Sequence, residues 1–203
     1  MAITTDQIKK LRDETGAGIM DCRRALENAD GNFDAALEEL RAKGMEKAEE
    51  RADRVASEGV VELYSHGDGR VGVMVEVNCE TDFVARSEAF RTFAHELALQ
   101  VAAAAPLYVD NDDIPEEVLE EQEVAARNFA IEEGKPENII DRIVDGRIEK
   151  FKNDNCLLHQ PYIRDDDLTV ENLLQQNIGS LGENIIIRRF VRWELGETTA
   201  ETE

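Results

Sequence analysis

The chain has 203 residues, of which 42% are hydrophobic, so it can form a medium-sized domain or a small domain joined to a larger one. Its 45 acidic and 23 basic residues give a net charge of −22, which disfavours nucleic acid and anionic membranes as partners. Three scattered cysteines, no apolar run near the ~20 residues of a membrane span, and no signal-peptide pattern predict a cytoplasmic protein that binds another protein.

Residues 1–55 predict a small three-helix bundle followed by a charged helical linker. Thr4 and Gln7 have capping-box spacing before the first helix. Gly44 is expected to end the third helix, and residues 45–56 carry both signs of charge without an apolar face. The apolar residues at helical spacing in the second and third helices are Cys22, Ala25, Leu26, Ala29, Phe33, Ala36, Leu37 and Leu40. A bundle this thin leaves no room for an enzymatic cleft and is typical of protein binding.

Ile19 and Met20 follow the Gly-Ala-Gly turn of this bundle. Two adjacent apolar residues cannot both point into so thin a core. Either one of them is an incidental exposed side chain, or the pair forms a contact with a partner, a use that suits a flexible methionine.

Residues 56–203 predict an α+β core domain. Alternating residues at 60–64 and 71–77 predict a hairpin, a helix is expected over residues 83–105, and Pro115 and Pro136 open two more helices. Thr169 can cap a shorter helix before a last strand, which completes a three-stranded antiparallel sheet covered by helices. The tail from about residue 197 is expected to be disordered.

The last strand is expected to have two unlike faces. One face is predicted to carry Ile185, Ile187, Val191, Trp193 and Leu195, and the other Ile186, Arg188, Phe190 and Arg192. The second face is amphipathic, which either a subunit or partner contact or packing against a helix of the same chain would explain.

Thr81, Asp82, Phe83 and Val84, called the corner below, fall at a strand-to-helix turn. Thr81 or Asp82 can accept a hydrogen bond from the free N–H groups of the helix. Phe83 then lies on the first helical turn, where it either folds back into the core or is held out to push into a partner.

Signals for bond chemistry are weak. The sequence has no phosphate-binding loop, no GxGxxG after a strand and no paired metal ligands, so neither cofactor nor metal is expected. Cys79 and His95 can be drawn as a nucleophile and its base, but Cys79 closes a valine-rich strand, which favours a buried inert thiol. We therefore expect a protein that is not an enzyme in the bond-making sense.

Three segments resemble the signatures of bacterial translation elongation factor Ts. They are Thr-Gly-Ala-Gly-Ile-Met-Asp-Cys-Arg-Arg-Ala-Leu at residues 15–26, Asn-Cys-Glu-Thr-Asp-Phe-Val-Ala-Arg at 78–86, and Gly-Glu-Asn-Ile-Ile-Ile-Arg-Arg-Phe at 182–190. Their order and spacing also fit, so the resemblance covers residues 3–196.

The resemblance implies a guanine-nucleotide exchange factor for elongation factor Tu. The family's N-terminal bundle resembles a ubiquitin-associated domain and docks on the GTPase, while the corner enters near the nucleotide, disturbs the groups that hold Mg²⁺ and releases GDP. The docking residues that it implies here are Leu11, Ala17, Gly18, Ile19 and Met20, and more weakly His159, Gln160 and Pro161.

The chain departs from the longer family members, which carry two core subdomains, a coiled-coil insertion and a C-terminal helical module. It is more similar to short members, which act as homodimers, and this implies a homodimer here. A different interpretation is an adaptor that binds a protein without altering its ligand, although an adaptor has no need of the corner.

Overall fold

The computed structural model describes residues 3–197. Two units are seen, the first formed by residues up to 99 with those from 171 onward, and the second by residues 100–170. The division predicted between residues 55 and 56 stays a prediction, and the tail expected beyond residue 197 lies outside the described residues. Within residues 3–197, no helix combines the length and the apolar character needed to cross a membrane.

The predicted three-helix bundle is confirmed in the first unit. Its helices are α1 (Thr5–Thr15), α2 (Ile19–Asn28) and α3 (Phe33–Glu49). The capping box of Thr4 and Gln7 is present at the start of α1. The fully or nearly buried core residues are Leu11, Cys22, Ala25, Leu26, Ala36 and Leu40.

The prediction that Gly44 ends α3 is wrong, because the helix continues to Glu49. Gly44 faces Gly179 of α8 (Val170–Leu181), and a Cβ built on Gly179 would lie 3.1 Å from the Gly44 Cα. The two glycines let the helix backbones approach closely, so Gly44 serves packing rather than termination. The helical part of the predicted linker is thus the last turn of α3.

The sheet of the first unit has strand order β1-β2-β5 and is antiparallel throughout. Its strands are β1 (Glu58–His66), β2 (Val71–Cys79) and β5 (Ile185–Glu194). Val71, Val73, Val75 and Val77 are buried on the inner face. Two helices follow β2, namely α4 (Asp82–Ala85) and α5 (Glu88–Ala104), where the sequence predicts one. His95 on α5 lies 2.9 Å from the Glu62 carboxylate of β1, so α5 covers the inner face.

A β-bulge in β5 overturns the predicted faces of its second half. Glu76 pairs with Arg189 but Val77 pairs with Ile187, so Arg188 is an extra residue in the ladder. Beyond the bulge Phe190 lies opposite Val75, on the inner face, and Val191 and Trp193 turn outward. The alternation of side chains along the sequence, on which the prediction relied, cannot reveal this extra residue.

The resulting outer face is apolar, and we define it by Val61, Leu63, Met74, Val191 and Trp193. Val191 is half-buried and the other four are exposed, Trp193 to 70%. The amphipathic face expected at Ile186, Arg188, Phe190 and Arg192 is thus wrong, because the bulge splits that set between the two sides of the sheet.

The second unit contains a helical hairpin. Helices α6 (Glu116–Glu132) and α7 (Glu137–Asn155) pack antiparallel around a small core of Ala126, Ala130, Ile140 and Val144. A short strand pair, β3 (Pro161–Tyr162) and β4 (Asp165–Thr169), follows. The two helices predicted to open at Pro115 and Pro136 are thus confirmed, and each proline is the N-cap of its helix.

Candidate functional site

The corner is built where β2 ends and one short helical turn begins. Thr81 is extended, with φ −128° and ψ 154°, and its hydroxyl accepts a hydrogen bond from the Val84 N–H at 3.4 Å. Ser87 ends the turn, because its hydroxyl donates to the Val84 carbonyl at 2.8 Å and accepts from the Phe90 N–H at 3.2 Å. The chain therefore makes one isolated turn before α5 starts.

Phe83 is held outside the core. Its side chain is 84% exposed, which answers the question that the sequence left open. Ala85 is buried on the opposite side of the turn, Val84 is half-buried, and Asp82 pairs with Arg86 at 3.1 Å. A phenylalanine this exposed forgoes about 1.5–3 kcal/mol of burial, which a partner can recover.

The Glu183 carboxylate supports the corner from the turn between α8 and β5. One oxygen accepts the backbone N–H groups of Glu80 at 3.1 Å and Thr81 at 3.0 Å, and the other accepts the Thr81 hydroxyl at 2.6 Å. The sequence interpretation missed this residue, although it lies in the segment 182–190 that carries the family resemblance. Pattern alone does not indicate which carboxylates face a backbone.

A second set of contacts ties the same turn to the linker. The Glu80 carboxylate accepts the Asn184 N–H at 2.7 Å and lies 3.5 Å from the Arg54 guanidinium. The buried Asn184 amide donates to the carbonyls of Ala52 at 3.2 Å and Arg54 at 2.8 Å. The corner, the linker and the α8–β5 turn thus share one hydrogen-bonded network.

The residues of the bundle turn (residues 16–20) form a second exposed apolar site. Ile19 and Met20 are 55% and 65% exposed, so neither packs into the bundle. Gly18 caps α2 without a side chain, and Ala17 is half-buried.

Two further features of the bundle turn concern its support. Gly16 has φ 64° and accepts a hydrogen bond from the Ser180 hydroxyl at 2.7 Å. Leu11, also expected on the docking surface, is fully buried in the bundle core. In this structure Leu11 supports the bundle turn from within and is not exposed to a partner.

His159, Gln160 and Pro161 belong to the second unit. Gln160 is buried, and its amide nitrogen donates to the carbonyl of Asp154 at 2.9 Å. His159 is half-buried and lies 3.0 Å from the Asp110 carboxylate, while Pro161 is exposed. The exposed proline is the member of this segment with most surface available to a partner.

The thiols are poorly suited to nucleophilic chemistry. Cys79 is fully buried, and burial raises the pKa of its thiol to about 11. Its Sγ donates to the Thr81 carbonyl at 3.2 Å, while His95 contacts Glu62 and stacks edge-on against Tyr64. Among residues 3–197, no cluster of three or more histidine, cysteine, aspartate or glutamate side chains could hold a metal ion.

Comparison with known proteins gives matches over nearly the whole chain. A family model described as Elongation factor TS matches residues 4–197. A protein named Elongation factor Ts from Carboxydothermus hydrogenoformans is 53% identical over 201 residues, covering 99% of this chain and 93% of that protein. Proteins of the same name from Caldanaerobacter subterraneus subsp. tengcongensis (55% identical; 96% of this chain, 98% of that protein) and Moorella thermoacetica (52%; 99% of each) are similar to it as well.

Proposed function

This chain belongs to the elongation factor Ts family, and we propose that it is a guanine-nucleotide exchange factor for elongation factor Tu that works in the cytoplasm. The observation that carries the proposal is Phe83, which is 84% exposed on a hydrogen-bonded corner. The corner enters the partner near its nucleotide site, displaces the groups that hold Mg²⁺, and GDP leaves. No covalent bond is made or broken.

Exchange of this kind is a matter of coupled binding. The factor must bind the nucleotide-free partner more tightly than the GDP-bound one. By linkage, the bound factor lowers the affinity of the partner for GDP by the same ratio. A thousandfold effect needs about 4 kcal/mol of differential binding at 1.36 kcal/mol per factor of ten. Burial of one phenylalanine supplies about 1.5–3 kcal/mol, and loss of the Mg²⁺–phosphate contacts supplies the rest.

The bundle turn has a different part in this proposal. Ile19 and Met20 dock on the GTPase and raise occupancy of the complex. Docking that is equally strong in both nucleotide states shifts no equilibrium, however tight it is. The corner therefore sets the maximal rate of exchange and the bundle turn sets the concentration at which it is reached.

We also propose a homodimer in which two copies of the outer face pack together. Four exposed apolar side chains on one sheet are unusual for a protein that stays monomeric, and Trp193 alone offers a large apolar area. The expected result is a dimer in sedimentation velocity that Trp193→Asp converts to a monomer. The control is Val124→Asp, at an apolar residue outside the outer face that is 60% exposed, and a monomeric wild-type protein would contradict the proposal.

The experiment that tests the exchange function is release of a fluorescent GDP analogue from elongation factor Tu, with and without this chain. Acceleration that rises with concentration and saturates supports exchange. Binding to elongation factor Tu with unchanged GDP release would overturn it and support the adaptor interpretation. A nucleotide-free complex isolated after gel filtration is a second expected result.

A further inference from the structure

We propose that Glu183 is a positioning residue for nucleotide exchange, because its carboxylate fixes the corner that carries Phe83. This inference rests on the proposed function and adds a residue to it. Glu183 lies in the turn between α8 and β5, 103 positions from Glu80 in sequence, and does not belong to the corner itself.

The carboxylate accepts three hydrogen bonds from two consecutive residues. Two come from the backbone N–H groups of Glu80 and Thr81, at 3.1 and 3.0 Å, and one from the Thr81 hydroxyl at 2.6 Å. Hydrogen bonds to an ionised carboxylate are stronger than those between neutral groups. Three of them fix both the direction of the chain leaving β2 and the rotamer of Thr81.

The Thr81 hydroxyl passes this constraint to α4. Its single proton is donated to Glu183, so the oxygen lone pairs are left to accept the Val84 N–H at 3.4 Å. This acceptance makes Thr81 the N-cap of the turn that carries Phe83. The chain of contacts from the carboxylate to the phenylalanine backbone is therefore continuous.

The corner has little other means of keeping its shape. Helix α4 has four residues, and a single helical turn is not stable by itself in water. Phe83 adds no packing, since its side chain is exposed. Orientation must then come from the anchors at the base of the turn, which include Ala85 in the core, the Ser87 and Cys79 hydrogen bonds and the charged Glu183 carboxylate.

Residues 80–81 and 183–184 are joined by hydrogen bonds in both directions. The Glu183 carboxylate accepts backbone N–H groups of residues 80 and 81, while the Glu80 carboxylate accepts the backbone N–H of Asn184 at 2.7 Å. Each acid thereby fixes the backbone beside the other acid. A clasp of this kind resists rotation of the corner as well as its displacement.

Glu183→Gln is the test, because it keeps the side-chain volume and changes the hydrogen bonding. The glutamine oxygen can still accept the two backbone N–H groups, but less strongly than a charged carboxylate, and its NH₂ faces Thr81, so the Thr81 hydroxyl loses the acceptor that fixes its proton. We expect the maximal rate of GDP release from elongation factor Tu to fall about tenfold, or about 1.4 kcal/mol, with the half-saturating concentration unchanged.

A second readout needs no partner. The amide protons of Thr81 and Glu80 should exchange with solvent about tenfold faster in Glu183→Gln, measured by NMR on the protein alone. If wild-type protein fails to accelerate GDP release, the proposed function fails, while these amides still decide whether Glu183 holds the corner. If the amides and the maximal rate both stay at wild-type values, the positioning role is wrong.

The matched control is Glu39→Gln on α3. The Glu39 carboxylate is likewise hydrogen-bonded, here by the side chains of Lys43 and, at 2.9 Å, Asn28, but it does not contact the corner. We expect unchanged exchange kinetics in this variant. Should Glu183→Gln not fold, Thr81→Val removes the hydroxyl that donates to Glu183 and accepts from Val84. A lower maximal rate that Thr81→Ser restores supports the inference, and a wild-type rate in Thr81→Val overturns it.

Discussion

The corner and the bundle turn both expose apolar side chains, but they are supported differently. Phe83 stands on a turn anchored by the carboxylates of Glu183 and Glu80, which accept backbone N–H groups. Ile19 and Met20 begin a ten-residue helix whose other face packs in the bundle, and their turn is held by uncharged side chains, with Ser180 donating to the Gly16 carbonyl and Cys22 to that of Ala17.

This difference in support shows how each region keeps its apolar side chains exposed. The bundle turn relies less on its hydrogen bonds, because α2 is held by its own buried face. The corner is one turn long and would rearrange without its anchors. An exposed residue on a short element therefore indicates a support that is worth locating.

Phe83→Ala is expected to have the largest effect and separates the two regions most directly. Loss of about 1.5–3 kcal/mol of burial in the exchange complex should lower the maximal rate of GDP release about 10- to 160-fold. The half-saturating concentration should change less than about twofold. Val124→Ala, at another exposed apolar residue, is the control, and equal changes in both kinetic parameters would remove the distinction between the regions.

Met20→Asp should give the opposite pattern. A carboxylate in place of an apolar docking residue weakens the complex, so the half-saturating concentration should rise about tenfold while the maximal rate changes little. Met45→Asp, on α3, replaces another exposed methionine and should behave like the wild type. Stopped-flow titration of elongation factor Tu with each variant measures both quantities.

Gly16→Ala sharpens the comparison through stability. Gly16 has φ 64°, and a Cβ there would lie 2.8 Å from the Ser180 hydroxyl, so the free energy of unfolding should fall by about 1–2 kcal/mol in urea denaturation. Gly69→Ala is the control, since Gly69 has φ 86° but no atom within 4 Å of its added Cβ. A loss as large at Gly69 would show that strain alone, without the Ser180 contact, explains the effect.

The buried thiols give the smallest expected effect. Cys79 donates to the corner at Thr81, and Cys22 donates to the bundle turn at Ala17. Burial raises the pKa of Cys79 to about 11 and also raises that of Cys22, although the Thr15 hydroxyl partly offsets the second shift. Because the folded pKa of Cys79 lies above the thiol's ordinary value of 9.0, its contribution to stability is complete below pH 9 and is lost towards pH 11.

Urea denaturation at pH 8 and pH 10 measures this loss. The free energy of unfolding should decrease from pH 8 to pH 10 by about 1 kcal/mol less in Cys79→Ala than in the wild type. In Cys22→Ala this decrease should lie closer to that of the wild type. An identical decrease in all three proteins would contradict the raised pKa of the Cys79 thiol.

The elements of this fold were largely predictable because their periodicity is strong. The capping box at Thr4, the hairpin around Gly69 and the order of helices and strands all follow from local residue patterns. The position of the corner was predictable as well, although its exposure was one of two alternatives, since a sequence does not tell which side of a turn faces the core.

The features that the sequence did not predict share one physical cause, which is contact between residues distant in sequence. Gly44 looks like a helix end until Gly179 is known to lie against it. The bulge at Arg188 follows from how β5 pairs with β2, and it alone decides that Trp193 faces outward. Glu183 likewise has no distinctive local pattern, and only the folded chain brings it to Thr81.

The separation of Glu80 and Glu183 also bears on how the protein is made. A ribosome synthesises the corner first and the residue that anchors it 103 positions later. During that interval the nascent chain has Phe83 but not the carboxylate that orients it. Strand β5, the third strand of the sheet, is added later still. The bundle turn is therefore complete early in synthesis, whereas the rigid form of the corner arises only after residue 183 has been translated.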